Sequence, residues 1–301
     1  MKKEIFKGSA VALVTPFKKN IRKIDYNKLS ELIDYHINNK TDAIVIAGTT
    51  GESSTLSTEE HKEIIEFAIN YANKKIPIIA GTGSNSTEEA VRLSKFASKK
   101  GADGLLIVTP YYNKCSQQGL FEHYRLIARK VDSPIILYNV PSRTGVNFAP
   151  ETVEELSKIP NIVGIKEASG DLTQVKKIIN RVDCKEFSVY SGNDDQINDL
   201  MELGGKGVIS VLANICPQQV HKLCQEALKG NYENSRRLQI QYLQLVKSLL
   251  SDINPIPVKE ALNILGFNVG GLRMPLTRMS NEAKEELNKT LVKYKKQNLI
   301  Y

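Results

Sequence analysis

Cysteine is scarce in this 301-residue chain. Cys115, Cys184, Cys216 and Cys224 are the four, and no two stand at C-x-x-C spacing. A large chain with few, scattered cysteines fits a reducing cytoplasm. Long hydrophobic runs are missing as well. Lys2 and Lys3 lead into an apolar stretch of only Ala10 to Val14, against the roughly 7–15 residues of a secretory core. Nothing approaches the ~20 residues of a membrane span, so a soluble intracellular protein is expected, without membrane attachment. Charge comes in no block either. The net charge is +8 and the pI about 9.1, yet the excess is spread thinly, which leaves no nucleic-acid arm. A solvated basic surface accounts for it, and its field favours small anionic substrates.

Several chemistries lack their residues. His36, His61, His123 and His221 all fall in predicted helices with no pair at ligand spacing, so converging ligands for a catalytic metal are not expected. There is no G-x-S-x-G elbow. "GTGSNS" (81–86) and "GGKGV" (204–208) match neither the dinucleotide nor the P-loop pattern and suit tight turns at strand ends. The site should therefore work without metal or cofactor.

What is present is a repeat. Continuous apolar runs recur at 9–17, 42–53, 76–83, 102–112, 133–141, 161–169, 187–194 and 207–214. Continuous rather than alternating runs suit parallel strands buried on both faces. Between them lie helical faces such as Leu29, Leu32, Ile33 and Ile37, or Leu120, Tyr124, Ile127 and Val131. Eight strands alternating with helices predict a (β/α)8 TIM barrel over residues 1–230. The surplus, 231–301, predicts a C-terminal helical extension packed on the barrel, with Leu238, Tyr242, Leu245, Val246 and Leu249 on one face and helix continuing to Tyr301. A doubly wound open sheet is the alternative, and it lacks its glycine signature.

In such a barrel the active site forms at the carboxyl ends of the strands. Those ends carry Thr15; Thr49, Thr50 and Glu52; Thr82; Thr109, Tyr111 and Tyr112; Tyr138 and Arg143; Lys166; Ser191; and the backbone around Ile209. Lys166 closes an apolar strand, "IVGIKEASGD" (162–171), where lost solvation disfavours the ammonium and leaves an amine able to attack a ketone. A lysine at a strand end also serves as an ion-pair member. Tyr138, on the preceding strand, offers a phenol for proton shuttling, or simply a core-edge tyrosine. Arg143, inside "PSRTG", can hold a carboxylate through two parallel hydrogen bonds or pair with a loop carboxylate. Thr49 and Thr50 offer hydroxyls to a keto acid or cap a helix, and "SGNDD" (191–195) is expected to cap the following helix.

"GTTGES", "TPYYN", "YNVPSRTG", "GIKEASG" and "NPIPVK" (254–259) together resemble the pyruvate-dependent class I aldolase family, from about residue 5 to the C-terminal helices. The resemblance implies that Lys166 forms a Schiff base with pyruvate. It implies that Tyr138 donates and accepts protons, with Thr49 and Tyr112 completing a relay. Thr50 and the backbone at Ile209 would bind pyruvate, and Arg143 the carboxylate of L-aspartate-4-semialdehyde. Sister aldolases that act on sugars typically lack an arginine in that loop, so Arg143 favours the semialdehyde branch, which feeds diaminopimelate and lysine synthesis. Tyr112 would reach into a neighbouring subunit, implying a homo-oligomer, usually a tetramer of paired dimers. An allosteric lysine site would comprise Ser54, Thr58, His61, Asn85, Glu89 and Tyr111. Thr58 stands where strongly inhibited members carry histidine, so weak or absent inhibition is expected. Two other outcomes stay open on the residues alone: a pyruvate lyase with the same imine chemistry, and a non-catalytic barrel retained as a sensor.

Overall fold

The computed structural model describes residue 2 and residues 4–300; Met1, Lys3 and Tyr301 lie outside the described residues. Eight parallel strands close into one barrel in chain order: β1 (Gly8–Ala12), β2 (Ala43–Ile46), β3 (Ile78–Gly81), β4 (Gly104–Val108), β5 (Ile135–Asn139), β6 (Ile162–Glu167), β7 (Ser188–Ser191) and β8 (Gly207–Ser210). β1 pairs with both β2 and β8, which leaves no sheet edge. The strands are shorter than the apolar runs of the sequence, because the residues after each strand turn over the barrel mouth instead of extending the ladder.

The crossovers carry α1 (Tyr26–Asn38), α2 (Thr58–Ala72), α3 (Thr87–Lys100), α4 (Gln117–Ala128), the short α5 (Pro141–Thr144) with α6 (Pro150–Ser157), α7 (Leu172–Ile179), α8 (Ile197–Glu202) and α9 (Pro217–Leu228). Beyond the barrel come α10 (Tyr232–Leu249), α11 (Ile256–Ile264) and α12 (Asn281–Lys296). The last helix thus stops short of Tyr301. Local chemistry starts these helices. Ser57 and Glu60 form a reciprocal capping box at α2, and Asp25, Ser86, Ser116, Asp171 and Ser280 each accept a first-turn N–H. In α3 Glu88 and Glu89 lie in the first turn and Lys99 and Lys100 in the last, both complementing the helix dipole.

The two faces of each strand serve two cores. Outward residues such as Ile44, Ile78, Leu137 and Ile165 pack under the helices, and inward ones such as Ala10, Val45, Ile79, Leu106 and Ile136 fill the barrel. Phe6 stacks on Tyr190 at 4.4 Å, and the Tyr190 hydroxyl donates to Phe6 O at 2.7 Å. A register shift between Ile135 and Ile136 leaves Val163 as the extra residue of β6. This bulge returns Gly164 and Lys166 to the inner face beside Ile136 and Tyr138.

The extension is built onto the barrel. α10 packs against α8, α9 and α12. Gln239 of α10 accepts from Asn198 N at 2.7 Å and donates to Asp195 O at 2.8 Å. The residues 191–195 therefore do not cap α8: its N-cap is Gln196, whose side chain makes no capping bond to the helix, and the cap comes from a distant helix. Among the described residues no helix is long and apolar enough to cross a membrane.

Candidate active site

Lys166 stands where β6 ends inside the barrel, 6% exposed. Its register partner on β5 is Tyr138 and on β7 Tyr190. The Lys166 Nζ lies 4.4 Å from the centre of the Tyr138 ring. Strand alternation sends the next residue, Glu167, outward. There it accepts from Asn139 Nδ2 at 3.0 Å, Ser169 N at 2.7 Å and Gln174 Nε2 at 3.2 Å. Burial pushes the Glu167 carboxyl up, and these hydrogen bonds pull it back. The pair is thus split between an amine facing the lumen and a carboxyl anchoring the strand from behind.

Space around the lysine is kept by a glycine. A Cβ at Gly192 would lie 2.5 Å from Ala168 Cβ and 3.1 Å from Lys166 Cε. Next to it Asp194 is half-buried. It accepts from Ser210 Oγ, from Val211 N at 2.9 Å and from Leu212 N at 2.8 Å, which ties the β7 loop to the loop after β8 beside Ile209. Burial raises the Asp194 carboxyl, while its hydrogen bonds and the Lys166 charge lower it.

A second group gathers over the β2 end. Thr50 is buried and accepts from Asn254 Nδ2 at 3.0 Å, and the backbone oxygen of Asn254 accepts from Arg143 Nη2 at 3.2 Å. Arg143 makes no ion pair among the described residues, so the loop-carboxylate alternative is not realised. Neither Thr49 nor Thr50 caps a helix, since Ser57 holds that place at α2. Thr15 donates to Gly51 O at 2.6 Å and steadies the same turn. Glu52, in a left-handed conformation at φ +53°, is held by Lys259 Nζ at 2.7 Å and by Arg273 N at 3.0 Å. Lys259 also donates to Thr15 O and Gly271 O and sits 4.3 Å from the Phe17 ring centre, with the Arg273 guanidinium 4.4 Å from that ring. Arg273 in turn forks onto Glu60 with two 2.6 Å contacts. The "NPIPVK" segment thus clamps the "GTTGES" turn.

Of the remaining strand-end residues, Thr82 turns to Ser94 at 2.9 Å and Ser191 accepts from Asn193 N. Thr109 Oγ1 is buried with no partner among the described residues. Tyr112 is 91% exposed at φ +71°. Among the described residues no hydrogen bond joins it to Thr49 or Tyr138. Thr49, Arg143, Ser54, Thr58, His61, Glu89 and Tyr111 line one cavity of about 430 Å³. Asn85 is absent from that lining; its backbone oxygen accepts from Asn113 Nδ2 at 3.0 Å. All four histidines lie in helices, as expected. Sequence reasoning missed Asn254 and Gly192 and the pairing of Glu52 with Lys259. The "NPIPVK" motif pointed at the right segment without indicating what it touches.

The dihydrodipicolinate synthetase family model matches residues 5–294. A 4-hydroxy-tetrahydrodipicolinate synthase from Caldicellulosiruptor bescii is 53% identical over 290 residues, covering 96% of this chain and 97% of that one. The chloride-inhibited dihydrodipicolinate synthase of Acinetobacter baumannii, solved in complex with pyruvate, superposes with a TM-score of 0.93 at 46% identity. The match covers 98% of this chain and 99% of that one. The Cyanidioschyzon merolae protein, solved with lysine bound, gives a TM-score of 0.93 at 41% identity over 96% and 98% of the two chains.

Proposed function

The chain belongs to the dihydrodipicolinate synthetase family, and from that premise we infer the 4-hydroxy-tetrahydrodipicolinate synthase reaction. It condenses pyruvate with L-aspartate-4-semialdehyde, a lyase-type aldol step of lysine and diaminopimelate synthesis. The observation that carries the residue assignment is a buried lysine at the inner end of β6, in register with Tyr138 and 4.4 Å from its ring.

In this reading the neutral Lys166 amine attacks the pyruvate ketone, and the carbinolamine loses water to give an imine. Loss of a methyl proton yields the enamine, whose carbon attacks the aldehyde. The amine of the second substrate then displaces Lys166 as the ring closes. Tyr138 moves the protons, joined by Thr49 and by Tyr112 of a neighbouring subunit. Thr50 and the Ile209 backbone hold the pyruvate moiety. Arg143 holds the second carboxylate at the mouth, where among the described residues its side chain bonds only to a backbone oxygen and keeps its remaining N–H groups for substrate. The exposure of Tyr112 supports a homo-oligomer, a tetramer of paired dimers, in which a second copy receives it. Four free cysteines suit a cytoplasmic enzyme.

The cavity shared by Thr49, Arg143 and the residues Ser54, Thr58, His61, Glu89 and Tyr111 supports an effector site for lysine adjoining the catalytic one, with Asn85 at its edge. With threonine at 58, inhibition is weak or absent; a rate halved by micromolar lysine contradicts this.

The test is reductive trapping with borohydride and pyruvate. Wild type acquires a stable adduct and Lys166→Ala acquires none. Rates with L-aspartate-4-semialdehyde and with N-acetylmannosamine then separate the synthase from a sugar-acid aldolase. Turnover with the sugar alone overturns the assignment.

A further inference from the structure

One residue of the C-terminal extension touches both substrate-holding side chains, and nothing in the imine chemistry uses it. Asn254 precedes α11 and is half-buried. Its Nδ2 donates to Thr50 Oγ1 at 3.0 Å, and its backbone oxygen accepts from Arg143 Nη2 at 3.2 Å. A carboxamide nitrogen has only donors, so the Thr50 oxygen must accept. The single hydrogen of the Thr50 hydroxyl is then left for another acceptor, which is what a carboxylate ligand requires. The Asn254 Oδ1 is buried with no partner of its own among the described residues. A buried carbonyl left unpaired is costly, so the side chain is held by what its nitrogen does and not by any satisfaction of its oxygen.

We propose that Asn254 is a positioning residue for pyruvate, polarising the Thr50 hydroxyl into an obligate donor toward the keto-acid carboxylate while its backbone braces Arg143. The proposal rests on the assignment of Thr50 to pyruvate. It goes beyond it by naming the group that sets the direction of that hydroxyl. It also explains how a segment 204 residues away in sequence serves both halves of the site.

The experiment measures the pyruvate concentration for half-maximal borohydride trapping, together with both KM values and kcat, in Thr50→Val, Asn254→Ala, Asn254→Asp and the double variant Thr50→Val/Asn254→Ala. Asn254→Ala is expected to raise the pyruvate half-saturation by about fivefold to tenfold, the worth of one oriented hydrogen bond. Asn254→Asp should raise it further, because an aspartate can only accept from Thr50 and adds a like charge. Semialdehyde KM should change little, since the backbone contact to Arg143 survives, and kcat at saturating pyruvate should stay within about twofold. The double variant should bind pyruvate no worse than Thr50→Val. If Thr50→Val weakens pyruvate capture and both Asn254 variants leave it unchanged, the positioning role is wrong and the site assignment stands. If Thr50→Val itself has no effect, the assignment of Thr50 fails, and the proposal with it. A parallel loss of kcat, both KM values and melting temperature in the Asn254 variants also overturns the proposal, because a purely structural residue would produce it.

Discussion

Lys259 and Glu52 form an ion pair whose side chains are 2% and 0% exposed. Lys259→Met keeps the volume and apolar stem but removes the charge. Three acceptors then lose a donor: Glu52 Oε1, Thr15 O and Gly271 O. The two carbonyls are minor beside a carboxylate left buried and unpaired. Breaking a buried pair by deleting one partner costs about 3–5 kcal/mol. At roughly 2–4 °C per kcal/mol for a protein of this size class, melting should fall by about 10 °C, measured by calorimetry at fixed protein concentration. Restoring neutrality should reverse much of this. In Glu52→Gln/Lys259→Met the glutamine still accepts from Arg273 N but carries no charge, and at least half of the loss should return. Activity should follow stability, because Glu52 lies two residues past Thr50 in the same turn. A double variant as unstable as Lys259→Met would refute the reasoning and assign the loss to the backbone acceptors.

Three further outcomes are expected. Gly192→Ala would put a Cβ 3.1 Å from Lys166 Cε and 2.5 Å from Ala168 Cβ. Displacing the amine by a fraction of an ångström should slow pyruvate trapping at least about tenfold; wild-type trapping would show that the glycine is not what keeps the lysine in place. Arg143→Ala should leave trapping intact and raise the semialdehyde KM about 10- to 100-fold, the worth of a charge-assisted contact; equal losses in both steps would move Arg143 to the pyruvate half. Burial lowers His36 from 6.5 to about 3, with Nδ1 on Thr41 Oγ1 at 2.8 Å and Nε2 unpartnered among the described residues. As pH falls below 6.5 the unfolded histidine takes a proton that the folded one refuses, so stability drops by about 1.4 kcal/mol per pH unit down to about pH 3. Denaturant titrations at pH 6 and 5 should show that slope reduced by this amount in His36→Gln, and parallel slopes would rule the histidine out.

The sequence by itself determined the barrel, because a strand buried on both faces needs an unbroken apolar run and eight such runs alternate with amphipathic helices. It also determined the polar roster at the strand ends, since parallel closure brings the residues after all eight runs to one mouth whatever each does there. Strand lengths were overestimated by the same signal, because apolar residues that cover the barrel mouth look like strand. The tertiary structure decided everything that depends on distant partners. Glu52 meets Lys259 across 207 residues and Thr50 meets Asn254 across 204, spacings that no local periodicity encodes. It decided which face Lys166 takes, through one extra residue in β6, since a single-residue shift inverts a strand's alternation. It also moved the cap of α8 from the adjacent Asn-Asp turn to Gln239. Asp194, free of that duty, fastens the β7 and β8 loops together. A helix start needs an acceptor at the right place, and in a closed barrel with a packed extension the nearest one in space need not be near in sequence.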